Sequence, residues 1–198
     1  MEGKQHKMRH ILASTSKYRK ALLSRAGITV ECIAPDYDEP KIEGLSAREL
    51  ILTHGINKAR AVARTLGSSE EALVIGSDQG LIFGEELIGK PGSIEKAVGQ
   101  LMRFSGHRCD LVTSLCVCCV PSGKEYTYID TTTLTFAPLD EAAIRAYVDA
   151  DQPLDCAGSF RIESRGPILF DAIDTHDPTA IEGLPIMALC RILRKISA

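Results

Sequence analysis

Apolar and polar positions along this chain follow two periods, and the changes between them mark out its elements. Residues 11–13 are a short apolar run that passes through Ser14-Thr15-Ser16 into helical spacing at Ala21, Leu22, Leu23 and Ala26, closed by Gly27. Residues 30–34 predict a second strand, followed by an acidic loop at 35–40 with Asp36, Asp38 and Glu39. Ser46 and Glu49 form a capping-box pair that predicts a helix to about residue 66, with Gly67 just beyond. Residues 73–75 form an apolar strand that ends at Gly76-Ser77-Asp78-Gln79, where a turn is expected. Residues 81–83 and 86–88 flank Gly84-Glu85 as a hairpin and deliver Gly89-Lys90-Pro91. A helix is predicted over 94–104, then long strands at 109–120 and 125–136 joined by Pro121-Ser122-Gly123-Lys124. Asp140 caps a predicted helix to residue 148, a turn-rich stretch runs over 153–166, and a strand at 168–170 precedes a closing helix over 184–195. Early alternation of strands and helices around a central hairpin predicts an α/β fold with a mixed central sheet flanked by helices. One domain is expected over 11–198, with residues 1–10 as a loose N-terminal extension.

A formal net charge of -3 gives no global reason to expect nucleic acid or a membrane surface as partner, so an anionic ligand must be held by locally placed cations. The longest apolar run, 111–120, is interrupted by Thr113 and Ser114 and is too short to span a bilayer. Residues 1–10 are basic and polar and do not read as a secretory signal. Seven cysteines is an odd number, and Cys116, Cys118 and Cys119 crowd one strand. That pattern argues against a disulfide framework and for a reduced, cytoplasmic setting. Cys32, Cys109, Cys156 and Cys190 stand alone, without the paired spacing of a zinc site.

Chemistry enters at the boundaries of elements. Ser14, Ser16 and Arg19 lie where a strand gives way to a helix, a place where free N–H groups and the helix dipole favour phosphate; a plain Ser16 cap beside a solvated arginine is the competing account. Asp78 ends an apolar strand and is positioned to hold a metal, with Glu39 of the acidic loop as second ligand, since magnesium takes one or two carboxylates plus substrate phosphates and water. Solvent-facing loop charges are the alternative. Lys58 follows Leu50 and His54 at helical spacing on an inward stripe, which for a lysine implies a bound anion, a cleft, or a stem reaching back to water. Lys90 is fixed by the stiff Gly89-Lys90-Pro91 turn. His54 shares the inward stripe and is expected to be a hydrogen-bonded core residue. No nucleophile elbow and no Walker loop is present.

Taken in order, Leu12-Ala13-Ser14-Thr15-Ser16 with Arg19, Asp38-Glu39, Lys58-Ala59, Gly76-Ser77-Asp78-Gln79, Gly89-Lys90-Pro91, Ala157-Gly158-Ser159-Phe160 and Gly183-Leu184-Pro185 resemble the Maf family of nucleoside triphosphate pyrophosphatases. The resemblance runs from about Ile11 to Leu193. It implies two lobes around a cleft, as in the inosine triphosphate pyrophosphatases, and release of pyrophosphate to leave a nucleoside monophosphate. It also implies a divalent cation (Mg2+, Mn2+ or Co2+) and admits a homodimer. Ser14, Arg19, Glu39, Lys58, Asp78 and Lys90 match the family's catalytic or phosphate-binding positions, Asp78 at the position of the proton acceptor. Whether Asp78 binds metal, takes the proton or does both stays open.

Three positions, Tyr18, Gln79 and Glu163, resemble the 7-methyl-GTP branch, and Cys156 stands where the pyrimidine branch has lysine. Methylation at N7 makes guanine cationic, which suits stacking on Tyr18 and pairing with Glu163. The chain departs from the pattern at Lys17, at Tyr18 where tryptophan is frequent, at Ser164-Arg165 and at His54-Gly55. Pyrophosphate release from UTP, dTTP or modified nucleotides, or nucleotide binding without turnover, are the alternative functions.

Overall fold

The computed structural model describes residues 8–67 and 69–198; the first seven residues of the expected extension lie outside the described residues. The chain order is β1 (Arg9–Leu12), α1 (Lys17–Arg25), β2 (Glu31–Cys32), α2 (Ala47–Ala63), β3 (Ala72–Gly76), β4 (Gln79–Phe83), β5 (Glu86–Ile88), α3 (Ile94–Phe104), β6 (Arg108–Val120), β7 (Glu125–Phe136), α4 (Glu141–Asp151), β8 (Phe170–Asp174) and α5 (Ile186–Ser197). Short 3-10 helices lie at Gly166–Leu169 and Pro178–Glu182. β1 starts inside the expected loose extension, because Arg9 and His10 pair in parallel with Ala72 and Leu73. Arg9 is further tied down by ion pairs to Glu31 and Glu70.

The strand expected at 168–170 is corrected. Pro167 fixes φ and lacks a donor, and its segment forms the 3-10 helix Gly166–Leu169; the strand begins at Phe170 and pairs antiparallel with β7. Asp171 and Ala172 are exposed in it, so this short edge strand carried little apolar signal.

β6 is long enough to organise the whole sheet. One edge carries β7, while the other carries β3 and β4 end to end. Gly76 lies opposite Cys116 and Gln79 opposite Thr113, so three steps on one side match three on the other and the register never slips. The turn expected at Gly76-Ser77-Asp78-Gln79 is therefore absent: the chain runs straight through it. Ser114 holds the crossing from the opposite strand, its backbone N–H donating to the Asp78 carbonyl at 2.8 Å and its Oγ accepting from the Asp78 N–H at 3.0 Å.

On the far side of this composite strand the sheet is open. β1 runs parallel to β3 and β5 antiparallel to β4, so both C-terminal ends point into the gap beside Asp78 from opposite directions. Two lobes follow from this division. Leu81, Ile88 and Leu111 pack with α3 and α4 residues such as Leu101, Phe104 and Tyr147 in one core. Leu12, Leu23, Ile75 and Leu189 form a second, and Ile11, Ala59, Val62 and Val74 a third on the other face of β1 and β3.

Why α2 crosses so close to the gap is written in two glycines. A Cβ on Gly76 would lie 2.3 Å from the Gly55 carbonyl oxygen and 2.7 Å from the Ala59 nitrogen, and one on Gly55 would lie 2.3 Å from Ser114 Oγ. Gly55, costly in a helix interior by propensity, is what lets the helix backbone touch the strand. Among the described residues no helix is long and apolar enough to cross a membrane.

Candidate active site

Successive residues of the composite strand alternate between its two faces. Gly76, Asp78 and Gly80 face α2: Gly76 abuts Gly55 and Ala59, Asp78 bonds Lys58, and a Cβ at Gly80 would meet Ile51. Ser77 and Gln79 face the Pro178–Glu182 turn, the Ser77 hydroxyl donating to the Gly183 carbonyl at 2.9 Å and Gln79 Nε2 to the Ala180 and Ile181 carbonyls at 2.8 and 3.2 Å.

Lys58, one turn past His54 on the inward face of α2, has its ammonium 2.7 Å from Asp78 Oδ1 and 2.6 Å from Glu39 Oε1. Its side chain is 9% exposed, that of Asp78 13% and that of Glu39 48%. The lysine is thus paired inside a cleft, not reaching back to water. Burial raises the Glu39 pKa, but the Lys58 hydrogen bond and charge, with His54 and Lys90 nearby, outweigh it and hold the carboxyl below its ordinary value. Glu39 adopts φ of +53°, a left-handed backbone that costs a side-chain-bearing residue roughly 1–3 kcal/mol and persists only where its surroundings over-determine it.

The end of β1 supplies the other wall. Ser16 is the α1 cap, its Oγ accepting from Arg19 N at 3.4 Å, so that part of the simpler account holds. Arg19 is not a solvated side chain: Nε donates to the Gly183 carbonyl at 2.8 Å and Nη1 to Ser14 Oγ at 3.3 Å. Burial lowers its pKa, and the charges of Asp78 and Glu39 oppose that; a guanidinium stays charged at neutral pH regardless. Ser14, Ser16, Arg19, Glu39, Lys58 and Lys90 line one recess of about 330 Å³, together with Lys17 and Asp155. Four cations against two carboxylates leave that recess positive, as a phosphate chain requires.

A larger cleft of about 820 Å³ adjoins it, and Tyr18, Gln79, Glu163, Asp78 and Lys90 all line it. Gln79 is held rigidly: besides the two carbonyls its Nε2 donates to Thr113 Oγ1 at 2.9 Å, which aims Oε1 the other way as an acceptor. The Tyr18 hydroxyl donates to Asp155 at 3.3 Å, and Lys17 and Arg161 lie 5.0 and 5.5 Å from its ring centre. Its phenol pKa is raised, by burial first and then by Cys156 and Asp155. Glu163 is not free, because Arg161 Nε donates to it at 3.3 Å.

Every candidate from the sequence therefore borders these two recesses. Residue-level reasoning missed Ser114, Thr113, Asp155, Arg161 and Tyr37. The first two were visible as the hydroxyls that break the apolar run of β6; the others lie in loops whose spacing carries no signal.

Two carboxylates converging on one point form a hard oxygen donor set, the kind magnesium shares with substrate phosphates. Lys58 engages one oxygen of each, and the second oxygens of Asp78 and Glu39 are the ones a divalent cation would take. Among the described residues no three His, Cys, Asp or Glu side chains gather as a cage, so the residues present fit an ion completed by its substrate.

Comparison with known proteins extends this picture. A relative in Burkholderia lata named 7-methyl-GTP pyrophosphatase is 43% identical, covering 94% of this chain and 89% of its own. Relatives of the same name are 39% identical in Pseudoalteromonas translucida, covering 92% and 89%, and 37% identical in Chromohalobacter salexigens, covering 94% and 95%. The Staphylococcus aureus Ham1 protein shares the fold with TM-score 0.50 at 18% identity, over 94% of this chain and 98% of that chain. Residues 9–196, nearly the whole chain and all the residues lining the two recesses, match the family described as Maf-like protein, and the chain belongs to the Maf family.

Proposed function

We propose that this chain is a nucleoside triphosphate pyrophosphatase that hydrolyses the α-β phosphate bond of 7-methyl-GTP to 7-methyl-GMP and pyrophosphate. The observation that carries the reading is the Asp78–Lys58–Glu39 knot at the mouth of a positive recess, set where β1 and β5 both end. Ser14, Ser16, Arg19 and Lys90 grip the phosphates. Arg19, already fixed by Gly183, and Lys58 stabilise the negative charge that spreads over the phosphoryl oxygens as the bond breaks. Asp78 accepts the proton of the attacking water on its carboxylate, Lys58 fixing the orientation of that group through Oδ1. Asp78 and Glu39 would hold a divalent cation (Mg2+, Mn2+ or Co2+), which when bound would supply further neutralisation of the phosphate charge.

The base lies in the larger recess. Tyr18 offers a ring for stacking a cationic purine, Glu163 offers it a carboxylate shared with Arg161, and Gln79 Oε1 accepts from the N–H edge of guanine. A panel of 7-methyl-GTP, GTP, UTP and dTTP with magnesium, assayed for pyrophosphate, tests the reading. Faster release from 7-methyl-GTP is expected; equal rates across the panel would sink the substrate assignment, and binding without any release would sink the enzyme.

A further inference from the structure

The loop that carries Glu39 has a second attachment to α2. Asn57 Nδ2 donates to the Tyr37 hydroxyl at 3.2 Å, and that hydroxyl lies 2.8 Å from His54 Nδ1. Asn57 donates into that oxygen, and the phenol and the imidazole complete the chain through Nδ1. His54 is 5% exposed, and its ring lies 5.6 Å from that of Tyr37, tilted by 60°. His54, Asn57 and Lys58 stand on one face of the helix at offsets of three and four, so two residues of the loop two positions apart, Tyr37 and Glu39, are moored to one stripe of side chains.

We infer that Tyr37 and His54 are positioning residues for Glu39: the Asn57–Tyr37–His54 chain fixes the loop so that the Glu39 carboxylate meets Lys58 and Asp78. Two features require such a mooring. Glu39 holds a left-handed backbone immediately before Pro40, whose ring disfavours compact conformations of the residue ahead of it. Its carboxylate is also half-exposed, where an ion pair alone is screened and weak. The Lys58 contact cannot by itself hold a strained, exposed segment in register. A hydrogen-bond chain to a buried ring can, because a buried partner has no water to turn to.

The inference rests on Glu39 serving the pyrophosphatase reaction, and a double-mutant cycle on the full chain separates the two. Tyr37→Phe keeps the ring and removes the hydroxyl. Its kcat with 7-methyl-GTP and magnesium is expected to fall roughly ten-fold, the worth of one hydrogen bond, with KM close to wild type and the thermal midpoint lowered by only a few degrees, as one lost buried hydrogen bond implies. Glu39→Gln is expected to fall further, and Tyr37→Phe in the Glu39→Gln background to lose nothing more, since a residue acting through Glu39 has nothing left to position. His54→Gln, which retains an acceptor, is expected to outperform His54→Leu. If Tyr37→Phe turns over at the wild-type rate while Glu39→Gln is impaired, or if the two losses multiply, the inference is overturned and the role of Glu39 stands. Wild-type turnover in Glu39→Gln overturns both.

Discussion

Lys58 holds apart two carboxylates that would otherwise face each other, and a buried charge of this kind is stable only with its partners present. Lys58→Met is expected to destabilise the fold and to raise the Glu39 pKa, because Asp78 and Glu39 then repel; a carbon-detected NMR titration of the Glu39 carboxyl reads the shift. In the native chain that titration is expected below the ordinary glutamate value of about 4.3. The sign follows from the direction of the shift: with a folded pKa below the unfolded one, the contribution of Glu39 to stability is full above the unfolded value and is lost as pH falls through the lowered one. Asp78→Asn is nearly isosteric and leaves Lys58 paired to Glu39. It is expected to fold, with kcat reduced about 10²–10⁴-fold, the usual worth of a general base; wild-type pyrophosphate release from this variant would remove Asp78 from the chemistry.

At the scale of elements, the site exists because a helix and a strand touch without side chains between them. Gly76→Ala would put a methyl against backbone atoms of α2 that have no freedom to move. A loss of about 1–3 kcal/mol is expected from such overpacking, read from a denaturant midpoint, with a larger fall in activity than the lost stability alone explains. Elements with strong periodicity were legible: α3 begins at Ile94 and ends at Phe104, and β7 spans Glu125–Phe136, as the spacing predicts. The stretch Gly76-Ser77-Asp78-Gln79 misled because its residue types are those of a turn. What keeps it straight is Ser114, 36 positions away in sequence, and a local window carries no trace of that contact. β8 hid for the opposite reason: an exposed edge strand has little apolar pattern to show.

For the whole molecule, the cleft divides separate cores, so a nucleotide bound across it ties the lobes together. A non-hydrolysable 7-methyl-GTP analogue at a hundred times its Kd is expected to raise the unfolding free energy by about 2.7 kcal/mol, visible as a higher midpoint in a thermal scan; the GTP analogue at the same concentration is expected to give a smaller rise. Ser14, Ser16, Asp78 and Gln79 were legible as cleft residues because they sit where elements end or begin, and Lys58 because a charge interrupts the inward stripe of a helix. Tyr37 and Arg161 escaped because nothing local distinguishes an aromatic in a loop from one that moors it, or a surface arginine from one that pairs with Glu163.

The two-residue alternation through the composite strand has a consequence for how this enzyme can change. Asp78 and Gln79 are adjacent in the chain yet look to opposite sides, one toward Lys58, the other toward the carbonyls after Pro178. The two walls are therefore separately adjustable: a replacement at 79 repacks the side against residues 180 and 181 and leaves the Asp78–Lys58 pair where it was. Inserting or deleting a single residue between 72 and 83 has the reverse character, exchanging the two faces at once and breaking both sets of contacts together.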